Sequence, residues 1–296
     1  MHKYLRAIGF SKFENRKQLK ALLTEVVVNS TSRAYTTGQD DIMLGEFCKD
    51  FAENMGIAVC GEFDEENDDK FIYDYYYPYL RGTGITSTED VSVERHAAKE
   101  SYAGVCDDIK VGVSLIFYLQ NMIPYVKAQM QGQLPIRGTT LTLSALSVKG
   151  TVMMPIKKDE KQKQKLQKDS YNRNNLIAAA RQGDEDAMET LTLEDMDMYT
   201  SISKKIFQND IYTIVDTCFM PYGVECDLYS VLGEIQQVEE IENTLTGETV
   251  VKMLLLCNEL SFDICINKKD LYGEPQVGRR FKGVIWLQGY INFPAE

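Results

Sequence analysis

The sequence predicts an α+β protein that ends in a small β-barrel. Three observations predict it. Runs of β-branched and aromatic residues between 57 and 156 are separated by turn residues, as in an antiparallel sheet. A polar, lysine-rich stretch at 157–175 leads into alanine-rich helical sequence. Beyond about residue 210, some five strand-like runs carry glycines where a small sheet must curve. The chain then divides into an α+β domain at 1–156, a polar linker with a helical segment at 157–207, and a barrel domain at 208–296.

In chain order, Arg16–Thr24 reads as a helix, because Leu19, Leu22 and Leu23 fall at helical spacing. Glu25–Val28 reads as a strand from its three valines. Asp40–Met55 reads as a second helix. Leu44, Phe47, Cys48 and Phe51 recur at i, i+3, i+4 and i+7, Asp40 or Asp41 would cap it, and Gly56 would end it. Ile57–Phe63 and Phe71–Leu80 read as paired strands around the charged turn Asp64–Asp69. Val91–Ala97 and Val111–Leu119 are further strands, the second running into a helix that ends near Gly132. Thr139–Pro155 reads as a hairpin or a bent strand at Gly150.

The stretch at 157–175 reads as a solvated helix or a linker. A helix pair broken at Gly183 follows, and Thr192–Asp195 would cap another helix running to about Phe207. Then come strands at Ile211–Cys218, Tyr229–Ile241, Thr249–Cys257 and Leu260–Ile266. A loop with a short helical turn spans Asn267–Gly278, and Arg280–Phe293 closes the chain. This arrangement resembles an oligonucleotide/oligosaccharide-binding (OB-like) barrel, an analogy of topology alone.

Composition narrows the function classes. Across 296 residues the net charge is -12, which repels polyanions and disfavours nucleic acid as the main partner. No stretch approaches the ~18 apolar residues of a membrane span. The first twenty residues lack the apolar core of a secretory signal, so the expected compartment is the cytoplasm. The seven cysteines are odd in number, widely spaced and without C-x-x-C. They are expected to be free, buried thiols rather than disulfides or metal ligands.

Chemical motifs are sparse. There are two histidines, His2 and His96, so a multi-histidine metal site is not expected and a histidine triad would have to run through His96. Arg81-Gly-Thr-Gly84 lacks the third glycine and the helix of a phosphate loop and reads as a turn. Asp64–Asp69 lacks the glycine and spacing of a calcium loop. Glu239, Glu240 and Glu242 read as polar positions of a strand end. No catalytic residue, cofactor or metal is assigned.

Two candidate binding sets remain. If the tyrosine-rich strand alternates, one face carries Tyr73, Tyr75, Tyr77 and Tyr79 and suits a protein partner. In the barrel, Arg279, Arg280 and Lys282 lie near Trp286, a pairing that serves single-stranded nucleic acid. Residues 222–296 nevertheless hold 12 acidic against 6 basic residues, and Trp286 sits among aliphatics as a core residue would.

The stretches AAARQGDEDAMETLTLEDMDMYT, VDTCFMPYGVECDLYSVLGEI and GEPQVGRRFKGVIWLQGYINF, with the opening HKYLRAIGFS, resemble a bacterial family known as a domain of unknown function. The resemblance covers the whole chain and implies no activity, cofactor or site residue. The first functional reading is therefore a non-catalytic cytoplasmic binding or protein-interaction module. The alternatives are an enzyme using carboxylates on a small or carbohydrate substrate, and a single-strand binder using the barrel.

Overall fold

The computed structural model describes residues 1–38, 42–64, 70–95, 102–108, 114–134, 138–156, 160–206, 215–224 and 227–294. A 3-10 turn at Lys3–Ile8 opens the chain and ends at Gly9, whose φ of 90° suits a residue without Cβ. Helix α1, Arg16–Val28, starts at a capping box between Asn15 and Gln18. Its buried face is Leu22, Leu23 and Val26. Glu25–Val28 is thus helix and not strand. Val26 completes the helical stripe, and its burial outweighs the strand preference of valine.

Four consecutive antiparallel strands form the first sheet: β1 Ser32–Thr37, β2 Met43–Ala52, β3 Met55–Asp64 and β4 Lys70–Leu80. The helix expected over Asp40–Met55 is therefore the β2–β3 hairpin, turning at Asn54 with φ 58°. Both faces of this sheet are covered, so β2 is apolar on both sides and its residues also fit a helical spacing. Gly56 does not end a helix. It lies in β3, where a Cβ would stand 2.1 Å from the Lys49 carbonyl oxygen. Residues 65–69 of the expected charged turn, the candidate caps Asp40 and Asp41, His96 and Cys226 lie outside the described residues.

Among the described residues the second sheet has ten strands. Strands β5 Val91–Arg95, β6 Tyr102–Cys106 and β7 Leu115–Leu119 form one wing, and α2, Met122–Met130, follows β7. Strand β8, Thr140–Met153, is one long strand. After it come α3 Glu160–Arg181 and α4 Glu185–Ile206, separated at Gly183 with φ 91°. No new helix starts at Thr192. Its hydroxyl donates to the Met188 carbonyl and α4 runs through. Strands β9 Cys218–Pro221, β10 Leu228–Glu242, β11 Thr249–Cys257, β12 Leu260–Asn267, β13 Leu271–Tyr272 and β14 Arg280–Asn292 complete the chain. Of the expected strand at Ile211–Cys218, residues 211–214 lie outside the described residues, 215–217 are not strand, and β9 begins at its last residue.

Five strands close a ring. β8 pairs with β12 in parallel, and the antiparallel pairs β12–β11, β11–β10, β10–β14 and β14–β8 complete it. The stretches on either side of 157–207 therefore share one sheet. Inside the ring pack Phe262, Phe281, Ile264 and Leu287. The Phe117 ring lies against Gly104 and Gly289, where a Cβ would meet it at 2.2 and 2.3 Å, so the wing sits flush on β14. A second core fills the space between the first sheet, the first ten residues and the outer barrel wall. There Tyr4 stacks on Trp286 at 5.2 Å, and the Trp286 indole N–H donates to Asp227 at 2.7 Å.

Candidate functional site

The site begins with the register of the first sheet. Glu46 lies opposite Cys60 and Ala34, and Cys48 lies opposite Ala58 and Ser32. Across the β3–β4 pair, Cys60 faces Tyr75, Ala58 faces Tyr77 and Gly56 faces Tyr79. Since partners across a ladder share a face, Glu46, Cys48, Asp50, Cys60, Tyr75, Tyr77 and Tyr79 point the same way. That face looks at the second sheet, where Tyr118 of β7 meets the Tyr77 ring at 4.7 Å.

Tyr73 departs from the expected face. Gly61 pairs with Tyr73 and Cys60 with Tyr75, so Asp74 is an extra, bulged residue. The bulge sends Tyr73 to the opposite face, beside α1, with 50% of its surface exposed. Tyr77 and Tyr79 are buried and Tyr75 is half-buried. The strand thus offers no exposed row of four tyrosines.

Between this face and the barrel lies a cleft of about 370 Å³, lined among others by Glu46, Tyr77, Tyr79, Arg81, Gln120 and Asn121. Two amides hold its floor. Gln120 Nε2 donates to the Leu80 carbonyl and to Gln288 Oε1, each at 2.8 Å. Asn121 donates to and accepts from the backbone of Ile291 at 2.8 and 3.0 Å. Gln120 Oε1 is buried and finds no hydrogen-bond partner among the described residues.

Glu46 is 8% exposed. The Tyr77 hydroxyl lies 2.8 Å from the Gln120 carbonyl and 3.2 Å from Glu46 Oε2. A hydroxyl has one hydrogen, and the carbonyl can only accept. The Tyr77 hydroxyl can therefore serve only one of these two acceptors at a time. Burial pushes Glu46 above the usual carboxylate range; hydrogen bonds from Tyr77, Cys60 and Cys48 and the charge of Arg81 only partly oppose it. Burial likewise pushes the Cys48 and Cys60 thiols up, which makes them poor nucleophiles.

Arg81 follows β4 at the mouth of the cleft, with its side chain 36% exposed. Its guanidinium lies over the Tyr79 ring, 4.8 Å from the centroid. It reaches Asp50 only at 3.8 Å, because Asp50 already accepts from the Tyr79 hydroxyl at 2.5 Å. Arg81 also interacts with the Cys48 side chain inside the cleft.

The rest of Arg81-Gly-Thr-Gly84 is irregular backbone with a bend at Gly84. Thr83 donates from its backbone N–H and its hydroxyl to Asp263 of β12, at 2.6 and 2.7 Å. The barrel cations do not form a patch. Arg280 is buried and donates to the carbonyls of Met154 and Val215, so it ties the chain together. Arg279 donates to the Glu274 carbonyl at 2.7 Å, and Lys282 is half-buried on β14. Glu239 and Glu240 at the end of β10 pair with Lys252 and Lys268.

Of the cleft-lining residues, Tyr77 and Tyr79 stand out in the sequence as part of the tyrosine-rich strand, whereas Glu46 and Gln120 do not. One signal pointed to Glu46: it is the lone charge in the apolar run Met43–Cys48. The chain belongs to the family described as a domain of unknown function from an E. rectale gene (DUF3881), whose model matches residues 5–289. Comparison with curated proteins and with solved structures gave no match.

Proposed function

We propose that this member of the family is a binding module that holds a small polar molecule in the Glu46–Arg81 cleft. One observation carries the reading. A buried acid whose pKa is raised by burial and a partly exposed guanidinium line a single concave site of about 370 Å³. The burial of Tyr77 and Tyr79 supports a ligand over a protein partner at this strand.

We also read the barrel as OB-like. Its ring order matches that topology if β8 takes the place of the last strand, which makes it a circular permutation. The loop that OB barrels use for ligands would be Asn243–Glu248. Here Asn243 Nδ2 donates to the Ile8 carbonyl and the Thr246 hydroxyl donates to the Gly9 carbonyl. The chain's own N-terminal segment occupies that loop, which favours the cleft over single-strand binding at the barrel. A cytoplasmic location is proposed on the free thiols of Cys48, Cys60, Cys106, Cys218, Cys257 and Cys265.

A thermal-shift screen of a metabolite library tests the cleft. A ligand at a hundred times its Kd stabilises by about 2.7 kcal/mol. Such a ligand is expected to raise the Tm of the wild type and not of Arg81→Ala. No shift with any compound, or equal shifts in both proteins, would overturn the reading. The raised pKa of Glu46 favours a second reading, an enzyme with Glu46 as general acid. Glu46→Gln separates the two: it keeps ligand binding in a binding module and abolishes turnover of the bound compound in an enzyme.

A further inference from the structure

We infer that the acidic helix α4 of one copy of this chain docks in the groove between α1 and β4 of a second copy. The contact lies outside the cleft and uses none of its residues. The groove has a volume of about 600 Å³ and is lined among others by Met1, Arg16, Leu19, Lys20, Leu23 and Tyr73. Leu23 is buried and Leu19 half-buried, so they give it an apolar floor beside the exposed Tyr73. Arg16 and Lys20 stand about one turn apart on α1, with Lys17 next to Arg16. All three are exposed and have no ion pair among the described residues. Glu14 is the one acid of the lining. Free cations around an apolar floor, in a chain of net charge -12, suit a partner that is both acidic and apolar.

Helix α4 has both properties. From Glu185 to Asp197 it carries six acids and no base. Glu194 and Asp195 pair with Arg173 of α3. Glu185, Asp186, Glu189 and Asp197 are exposed and have no ion pair among the described residues. Ala187 is buried and Leu191 half-buried, which sets the inward side of the helix. At 3.6 residues per turn, Leu193 and Met196 fall on the opposite side, 57% and 62% exposed. An apolar stripe flanked by acids thus matches an apolar groove flanked by cations. Within one copy the two surfaces rest on different elements. Helix α1 packs on β2 and β3, whereas α3 is tied by Asn174 to Glu259 and by Arg181 to the Asp107 carbonyl. Pairing α4 with α4 would set like charges together, so charge selects the groove. A two-fold pair makes this contact twice and closes as a dimer.

Sedimentation equilibrium of the full chain tests this with the wild type, a groove variant (Arg16→Glu with Lys20→Glu) and a helix variant (Leu193→Lys with Met196→Lys). All four positions are exposed, and an acid in the first turn of α1 suits its dipole, so both variants are expected to fold, as circular dichroism and Tm would check. The wild type is expected to dimerise, with an affinity that falls about tenfold from about 0.05 M to about 0.5 M NaCl. Each variant alone is expected to be monomeric. Their equimolar mixture is expected to associate again, because the groove variant brings an intact α4, the helix variant an intact groove, and the second contact is charge-reversed on both sides. A monomeric wild type, a variant that still dimerises, or a mixture that stays monomeric would overturn the inference. The salt titration needs no variant: an affinity unchanged across it would overturn the charge match by itself. None of these outcomes touches the cleft reading.

Discussion

Two glutamates are buried to nearly the same degree, Glu46 in the cleft at 8% exposed and Glu248 beside the barrel at 5%. They have opposite chemistry. Glu248 accepts from the Ser11 backbone N–H at 3.2 Å, the Ser11 hydroxyl at 2.7 Å and Asn267 Nδ2 at 2.6 Å, with Lys269 Nζ at 3.7 Å. Burial pushes its pKa up, but these donors and the lysine outweigh burial and hold it below the usual range. Glu46 has two thiols at 3.6 and 3.7 Å and one hydroxyl at 3.2 Å that it shares with the Gln120 carbonyl. Burial alone does not set a carboxyl's charge; the number of true donors does. A saturated acid is a staple. An unsaturated one keeps capacity for a ligand.

The largest effect is expected from breaking the staple. Glu248→Ala strips the acceptor from Ser11, Asn267 and Lys269 in the seam between the N-terminal segment and the barrel. The expected loss is about 3 kcal/mol in urea unfolding at pH 7. A loss below about 1 kcal/mol would mean that water serves those donors as well and that the staple holds little. Acid should do the same work reversibly. With the folded pKa lowered, the stabilisation from Glu248 is present above the unfolded pKa and is lost as the pH falls through the folded one.

A smaller effect is expected on the cleft side. Tyr77→Phe keeps the ring against Tyr118 and removes the hydroxyl that bridges the Gln120 carbonyl and Glu46. The expected cost is about 1 to 1.5 kcal/mol, that of one buried hydrogen bond. A cost above about 3 kcal/mol would show that the cleft is as tightly coupled as the seam, and the contrast between the two regions would fail.

The same contrast explains what could be read from the sequence. Strands β10, β11, β12 and β14 were legible because their exposed ends, turns and glycines mark them. The two-residue turn Asn258–Glu259, with φ 48° and 63°, is one such mark. Strand β2 was not legible, because a strand covered on both faces loses its alternation. Glu46 went with it. The tyrosine strand was located correctly, but the bulge at Asp74 is a tertiary fact that reassigns Tyr73 without a local signal. Gln120 depends on Gln288, 168 positions away, and no spacing rule reaches that far.

The smallest effect should come from Glu46→Gln, and its sign changes what the cleft means. The folded pKa of Glu46 lies above its unfolded value. Below the unfolded pKa the acid is neutral in both states and the folded protein has its full stability. As the pH rises past that value the unfolded chain releases the proton and the folded one keeps it. Stability then falls until the folded pKa is reached. Glutamine has no proton to release, so the variant should match the wild type at acid pH and become more stable than it as the pH rises, until the folded pKa is reached. Urea midpoints of both proteins across that range measure the difference directly. A variant that is less stable by the same amount at every pH would mean that Glu46 titrates alike in both states. The two glutamates would then differ in their partners alone.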